Sequence, residues 1–186
     1  MFIALTGTPG TGKTSIAEVL QEKGFTVIDL HKIAIDEHVT EGIDKERNSI
    51  ILDPFRLDVL VKEVYNPSDT IIFEGHIAHL LSCMEKAIVL RCRPDILKKR
   101  LGDKRWKKEK IRENLEAEII DIILCESVEL QGESNVFEID TTDFTAEEIA
   151  ENIILWFKTG FCLSEEYKVG HIDWSEFLSE EFIGGV

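Results

Sequence analysis

Residues 7–14 carry the pattern of a loop that binds phosphate groups. They read Gly-Thr-Pro-Gly-Thr-Gly-Lys-Thr and match G-x-x-x-x-G-K-[ST] at every fixed position. Gly10 and Gly12 let the backbone curl so that consecutive amides face inward, and the first turn of a following helix adds further free N–H groups. Lys13 would reach the β- and γ-phosphates of a nucleotide, and the Thr14 hydroxyl would bind Mg²⁺. The segment therefore predicts a site for a magnesium nucleotide.

A second pair of candidate residues follows a buried strand. Residues 71–76 read Ile-Ile-Phe-Glu-Gly-His, so Glu74 ends the strand and His76 lies two residues beyond it. Ligands bind at the carboxyl ends of strands in open parallel sheets. We therefore expect Glu74 to hold Mg²⁺ indirectly, through the water molecules around the ion, and His76 to orient a reacting group. The alternatives are a capping or ion-paired carboxylate and a structural histidine.

The densest basic stretch of the chain is Lys-Arg-Trp-Lys-Lys-Glu-Lys at residues 104–110. As a lid, it would bring cations over the transferring phosphates. Its tryptophan would then lie either over a nucleotide base or against the body of the protein where the lid closes. The alternative is a solvated start of a helix. Adjacent side chains on a helix or turn cannot both face one ligand, so only one of Lys104 and Arg105 should contact the nucleotide. The forked guanidinium favours Arg105, because it can bind two phosphate oxygens at once.

Strand and helix patterns alternate along the chain, which predicts an α/β fold with a parallel sheet covered by helices on both faces. The predicted strands are residues 2–6, 26–30, 70–74, 87–91 and 136–140. An apolar stripe predicts one long helix over 110–131, and the pattern Thr145-x-x-Glu148 predicts a capping box at the start of the last helix. The phosphate loop on such a sheet is typical of the P-loop nucleoside triphosphate hydrolase fold.

The composition restricts the classes of partner. The chain has 186 residues and a formal net charge of −15, which disfavours binding to DNA or to anionic lipid surfaces. Since the sequence contains no long apolar run and no signal-like start, we expect a cytoplasmic protein without a membrane partner. Neither D-x-x-G nor N-K-x-D occurs, so the chain lacks the switch and base-recognition motifs of a GTPase.

Four segments together resemble the adenylate kinase isoenzyme 6 family, also known as the coilin-interacting nuclear ATPase protein family, which has archaeal members. They are the phosphate loop, Ile50-Ile51-Leu52-Asp53 followed by Arg56, Glu74-Gly75-His76, and the pattern Trp106-x-x-x-Lys110-Ile111-x-Glu113-Asn114-x-x-Ala117-Glu118. The resemblance covers about residues 2–157. It implies a nucleoside monophosphate kinase (ATP + AMP = 2 ADP) with ATPase activity. It also implies a role in small ribosomal subunit biogenesis through transient binding of a basic platform protein.

The resemblance also implies roles for individual residues. Segment 29–52 would bind the monophosphate and segment 103–113 would form the lid, with Arg56 binding phosphate charge. This sequence departs from the family pattern at Ile35, where an arginine is common, and at Glu74, where many members have aspartate. It also departs in the lid, where the family commonly reads Arg-Gly-aromatic and this chain reads Lys104-Arg105-Trp106. The resemblance therefore aligns Lys104 with the usual lid arginine. The residues implied to bind ATP are Gly10, Gly12, Lys13, Thr14 and Ser15.

Three functions remain open at this stage. The first is a nucleoside monophosphate kinase on a domain spanning 1–159, and the second is a small-molecule kinase with another acceptor. The third is an assembly factor that uses ATP to bind and release a basic ribosomal protein through its acidic surface. Residues 160–186 mix acidic and aromatic side chains. They are predicted to form a tail that either docks on the body or serves as an interaction arm.

Overall fold

A parallel β-sheet of five strands forms the centre of the computed structural model, which describes residues 1–44, 49–162 and 165–179. In the order of the sheet, the strands are β2 (Val27–Asp29), β5 (Ile71–Glu74), β1 (Phe2–Gly7), β6 (Lys86–Arg91) and β7 (Val136–Asp140). Each strand pairs in parallel with its neighbour. The predicted α/β fold and its five parallel strands are confirmed.

Helices cover both faces of this sheet. In chain order they are α1 (Lys13–Glu22), α2 (Leu30–Asp36), α3 (Pro54–Val64), α4 (Pro94–Asp103), α5 (Lys108–Ile119), α6 (Ile122–Gln131) and α7 (Ala146–Lys158). Because successive side chains of a strand alternate between faces, β1 contributes Phe2 and Ala4 to the core under α2, α3 and α6. Ile3 and Leu5 point to the opposite core, under α1 and α7. The central strand is therefore buried on both sides.

A third apolar cluster lies outside the main sheet core, between α4 and α5. Leu97 and Leu101 of α4 pack against Ile111 and Leu115 of α5, and Trp106 from the connection contacts this cluster. These two helices therefore hold the basic connection 104–107 at the carboxyl end of the sheet.

The single helix predicted over 110–131 is wrong, because the structure contains two helices with a break between them. Asp121 has a φ of 57°, in the left-handed region, and begins α6 without a side-chain cap. Its carboxylate is instead bonded to the Arg91 guanidinium. The apolar stripe continues on both sides of this break, so sequence periodicity alone does not reveal it.

A hairpin that the sequence analysis did not predict follows α2. Strands β3 (Thr40–Asp44) and β4 (Ser49–Leu52) pair antiparallel, with an irregularity between Thr40 and Gly42. They lie within the segment 29–52 that was predicted to bind a monophosphate. Residues 45–48 of that segment lie outside the described residues.

The described part of the predicted tail contacts the body. The Tyr167 ring lies 4.8 Å from the Phe137 ring, Val169 packs against a sheet core, and the Gly170 N–H donates to Glu138 at 2.9 Å. Residues 163–164 and 180–186 of the tail lie outside the described residues.

Among the helices of the described ranges, none is long and apolar enough to cross a membrane.

Candidate active site

The phosphate loop connects β1 to α1 and depends on glycine at two close approaches. Gly7 has a φ of 137°, and a Cβ there would lie 2.4 Å from the Leu90 carbonyl oxygen. A Cβ at Gly10, where φ is 101°, would lie 2.8 Å from Leu97. Both positions therefore exclude side chains, one because of the neighbouring strand and the other because of α4.

Lys13 is buried inside this loop. Its Nζ donates to the carbonyl oxygens of Gly7 at 2.8 Å and Thr8 at 3.1 Å. Burial lowers the pKa of Lys13 to about 8; the carboxylates of Glu74 and Glu118 oppose that shift, and Lys104 adds to it. The ammonium group is thus held at the loop, with a charge that titrates near physiological pH.

Oxygen donors suited to Mg²⁺ lie beside Lys13. Glu74 is buried at the end of β5, where desolvation raises its pKa while Lys13 favours its charged form. Thr14 and Ser15 are exposed in the first turn of α1 and face the same cleft. Hydroxyl and carboxylate oxygens fit Mg²⁺, which usually keeps several waters and binds few protein groups in phosphoryl-transfer sites.

The loop opens into a cleft of about 1340 Å³ at the carboxyl end of the sheet. The cleft brings together most of the predicted site residues, which come from the loop, the end of β5 and the predicted lid. Arg56 and Arg105 do not line it, and both side chains are exposed. The predicted residues on its wall are Gly10, Gly12, Lys13, Thr14, Ser15, Glu74, His76 and Lys104.

His76 lies in the cleft just beyond Glu74. Its side chain is exposed in the cleft, but the protein around the ring still limits its hydration and lowers its pKa to about 4. The positive charge of Lys13 acts in the same direction. The ring is therefore neutral at neutral pH, with one nitrogen that donates and one that accepts.

A second histidine, His79, is a residue that the sequence analysis missed. Its ring is buried; Nδ1 lies 3.0 Å from the Thr6 hydroxyl and Nε2 lies 2.9 Å from a Glu126 carboxylate oxygen. It also contributes to the cleft wall. The only sequence signal is its position three residues after His76, since both hydrogen-bond partners are distant in sequence.

The basic stretch 104–110 of the predicted lid presents two cations and one aromatic side chain to the cleft. Lys104, Trp106 and Lys110 line the cleft, and the Lys110 ammonium lies over the Trp106 ring, 4.0 Å from its centroid. Arg105 has a φ of 56° and is exposed. Of the two adjacent cations Lys104 and Arg105, Lys104 lines the cleft and Arg105 does not.

Arg100 on α4 is another functional candidate that the sequence analysis missed. It donates to the carbonyl oxygens of Thr141 at 2.9 Å and Thr142 at 3.2 Å, in the loop after β7. The Thr141 hydroxyl in turn donates to the Thr11 carbonyl oxygen at 2.8 Å. These bonds join the lid-bearing helix, the β7–α7 loop and the phosphate loop.

Comparisons with known proteins agree with this architecture. A family model described as an AAA domain matches residues 3–121. A protein of Archaeoglobus fulgidus named "Putative adenylate kinase" is 42% identical, with 98% of both chains covered. One of the same name from Methanocaldococcus jannaschii is 38% identical, with 95% of this chain and 94% of the relative covered. The first alignment extends beyond Thr159, into the part of the chain that the motif resemblance did not cover.

A solved structure shares the fold at low sequence identity. Shikimate kinase from Acinetobacter baumannii, in complex with shikimate, has a TM-score of 0.56 and 20% identity over 86% of this chain and 93% of its own. The finer resemblance, to the isoenzyme 6 and coilin-interacting branch, stays a prediction. The chain belongs to the family of archaeal proteins named "Putative adenylate kinase", and it carries an AAA domain on a P-loop kinase fold.

Proposed function

We propose that this protein is a nucleoside monophosphate kinase that catalyses ATP + AMP = 2 ADP. The observation that carries the proposal is the cleft: its volume of about 1340 Å³ exceeds the roughly 300–1,000 Å³ of a pocket for one small ligand. The phosphate loop lies on one part of its wall, and Asp29, His31 and Ile50 of the predicted monophosphate segment lie on another. Two nucleotides can therefore meet with their phosphates between these walls. The names of the relatives support the same activity.

The reaction needs little covalent work from the protein. A phosphate oxygen of AMP attacks the γ-phosphorus of ATP in line, the bond to the β–γ bridging oxygen breaks, and two ADP molecules result. The rate enhancement comes from positioning the two nucleotides and from stabilising negative charge in the transition state. That charge is spread over the equatorial oxygens of the transferring phosphoryl group, where cations can reach it. Lys13 binds the β- and γ-phosphates, and Lys104 binds phosphate from the lid. Mg²⁺, held by Thr14 and by Glu74 through water, would neutralise charge on the same phosphates.

His76 would position the attacking group without adding charge. Its neutral imidazole can donate one hydrogen bond and accept another, so it can orient a phosphate oxygen or a water molecule in the cleft. With water in place of AMP, the same arrangement hydrolyses ATP. We therefore propose a slower ATPase activity at the same site.

A coupled assay of ADP formation tests the kinase directly. Adding AMP to enzyme with Mg²⁺ and ATP should raise ADP formation well above the rate with ATP alone, and Lys13→Met should abolish the increase. Lys23→Ala, at the exposed end of α1, serves as the matched control. If other monophosphates or small hydroxyl compounds stimulate ADP formation and AMP does not, the acceptor is different and the adenylate kinase assignment fails.

A second candidate function is ATP-dependent assembly of the small ribosomal subunit. The net charge of −15 favours it, because an acidic surface attracts a basic ribosomal protein. Such a complex should associate much more slowly as salt rises, since charge steering acts over about 8–10 Å. A pull-down with basic small-subunit platform proteins at low and high salt tests this. Failure to detect any complex at low salt would leave only the enzyme.

A further inference from the structure

Glu118, the last residue of the lid-helix motif, lies far from the lid and next to the phosphate loop. Its side chain is 2% exposed. One carboxylate oxygen accepts from the Thr8 hydroxyl at 2.5 Å. The other accepts from Nε of Arg91 at 2.9 Å and from the Cys92 N–H at 3.0 Å. Each oxygen of this carboxylate therefore has a defined partner, and one of these partners belongs to the loop.

Arg91 holds this carboxylate in place from the end of β6. It is 2% exposed and also donates to the Glu118 carbonyl oxygen at 3.0 Å, to Glu138 at 2.7 Å, and to Asp121. Replacing a buried charge network by apolar side chains is often neutral or stabilising, so stability alone explains such a network poorly. A fixed orientation of Glu118 is the property that these bonds provide.

Thr8 is hydrogen-bonded both to Glu118 and to Lys13. Its carbonyl oxygen accepts from Lys13 Nζ at 3.1 Å and from the Thr11 hydroxyl at 2.9 Å. At the other end of the same residue, the Thr8 hydroxyl donates to the Glu118 carboxylate. A rotation of the Thr8 peptide would therefore move the acceptor that holds the Lys13 ammonium.

We infer that Glu118 is a positioning residue: oriented by Arg91, its carboxylate fixes Thr8, and Thr8 sets the place of Lys13 and of the loop amides that face the phosphates. The kinetic test of this inference rests on the proposed function. A second test, the binding of ADP, does not require the protein to be a kinase. Glu118 lies in the last turn of α5, and Lys110 lies in the first turn of the same helix. The hydrogen bond between Glu118 and Thr8 therefore also joins α5 to the phosphate loop.

Substitutions at Thr8 test the positioning. Thr8→Val keeps the shape and removes the hydroxyl donor, whereas Thr8→Ser keeps the donor. We expect Thr8→Val to lower kcat by about 10-fold or more, with a smaller change in the KM for ATP, since small misplacements at a reacting centre can cost up to about 100-fold. Thr8→Ser should retain most of the wild-type kcat. Equal kcat for wild type and Thr8→Val would overturn the inference.

The charge of Glu118 has its own test in kcat and in ADP binding at one neutral pH. Glu118→Gln keeps a hydrogen-bonding side chain beside Arg91 and Thr8 but removes the negative charge that strengthens both bonds. We expect this variant to lower kcat by about 10-fold and to weaken ADP binding, because Thr8 and Lys13 are then held less firmly. Wild-type kcat together with wild-type ADP affinity in Glu118→Gln would contradict the inference.

Glu138→Gln is the matched control, because Glu138 is 1% exposed and bonded to Arg91 but is not among the loop's hydrogen-bond partners. It should lower the melting temperature about as much as Glu118→Gln does, while its kcat and its ADP affinity stay those of wild type. If Glu138→Gln lowers kcat and ADP affinity as far as Glu118→Gln does, the network acts only through stability and the inference is wrong. If the wild-type enzyme shows no AMP-dependent turnover, the proposed function is refuted, and the ADP affinity of the variants alone then tests the role of Glu118.

Discussion

The ammonium group of Lys13 lies 2.8 Å from the carbonyl oxygen of Gly7, at the start of the loop that is proposed to bind ATP. This buried position explains why the pKa of Lys13 falls to about 8. A cation so close to its own deprotonation gives nucleotide binding a measurable pH dependence.

We predict that ADP affinity is constant up to about pH 7 and falls as pH rises through about 8. The protonated lysine attracts phosphate and the neutral amine does not, and the free protein loses this proton near pH 8. Calorimetric titrations between about pH 6.5 and 9.5 measure the effect. Lys13→Met should bind ADP weakly and without this alkaline decline. A wild-type affinity that stays constant to pH 9.5 would contradict the assignment of Lys13 as the phosphate-binding cation.

Lys13→Met should also lower turnover by about 100- to 1,000-fold, the typical cost of removing one preorganised group that stabilises transition-state charge. The fold should persist, because burial disfavours the charged lysine and methionine adds no buried charge. Single-turnover kinetics and a thermal melt measure the two quantities. Near-normal turnover in a folded variant would refute the phosphate-loop mechanism.

His76→Ala should lower kcat by about 10-fold while changing the Kd for ATP by less than about threefold, because in the proposed mechanism the ring orients the attacking group and does not contact the base. The wild-type rate should show no step near pH 6.5 from this residue, since its pKa is about 4 and the ring is already neutral. His171→Ala, in the exposed part of the tail, is the control. Parallel losses of affinity and turnover in His76→Ala would indicate a binding role instead.

The sequence predicted the sheet and the loop because both depend on local patterns. Five apolar runs mark the strands, and the glycines of residues 7–14 are required by close backbone contacts such as that between Gly7 and Leu90. The hairpin β3–β4 escaped prediction because its first strand, Thr-Glu-Gly-Ile-Asp, is polar and contains glycine. The break at Asp121 escaped because its carboxylate pairs with Arg91, which is distant in sequence.

Some candidate site residues were likewise predictable from local sequence patterns, and others were not. Lys13, Thr14 and Glu74 were predicted because motif spacing and strand ends place them. His79, Arg100 and the role of Glu118 could not be predicted, because their partners come from other elements and become visible only in the fold.

The last prediction concerns which lid cation contacts phosphate. From the sequence, guanidinium geometry favoured Arg105, whereas the alignment with the family pattern favoured Lys104. Both side chains are exposed in the structure, but only Lys104 lies on the cleft wall, and Arg105 has a φ of 56°. Adjacent residues point in different directions, so the two side chains cannot exchange places without a change of the connection. Trp106 opposes such a change, because its ring packs against the α4–α5 cluster and lies under Lys110.

We therefore expect Lys104→Ala to lower turnover at saturating ATP by about 10-fold, the loss of one phosphate cation, and Arg105→Ala to change it by less than about twofold. Each variant is the control for the other, since both remove one exposed cation from the same connection. A larger loss for Arg105→Ala would show that the lid rearranges when the nucleotide binds, as closing lids do in other enzymes. Two nearly silent substitutions would show that residues 104–110 form only a solvated basic turn.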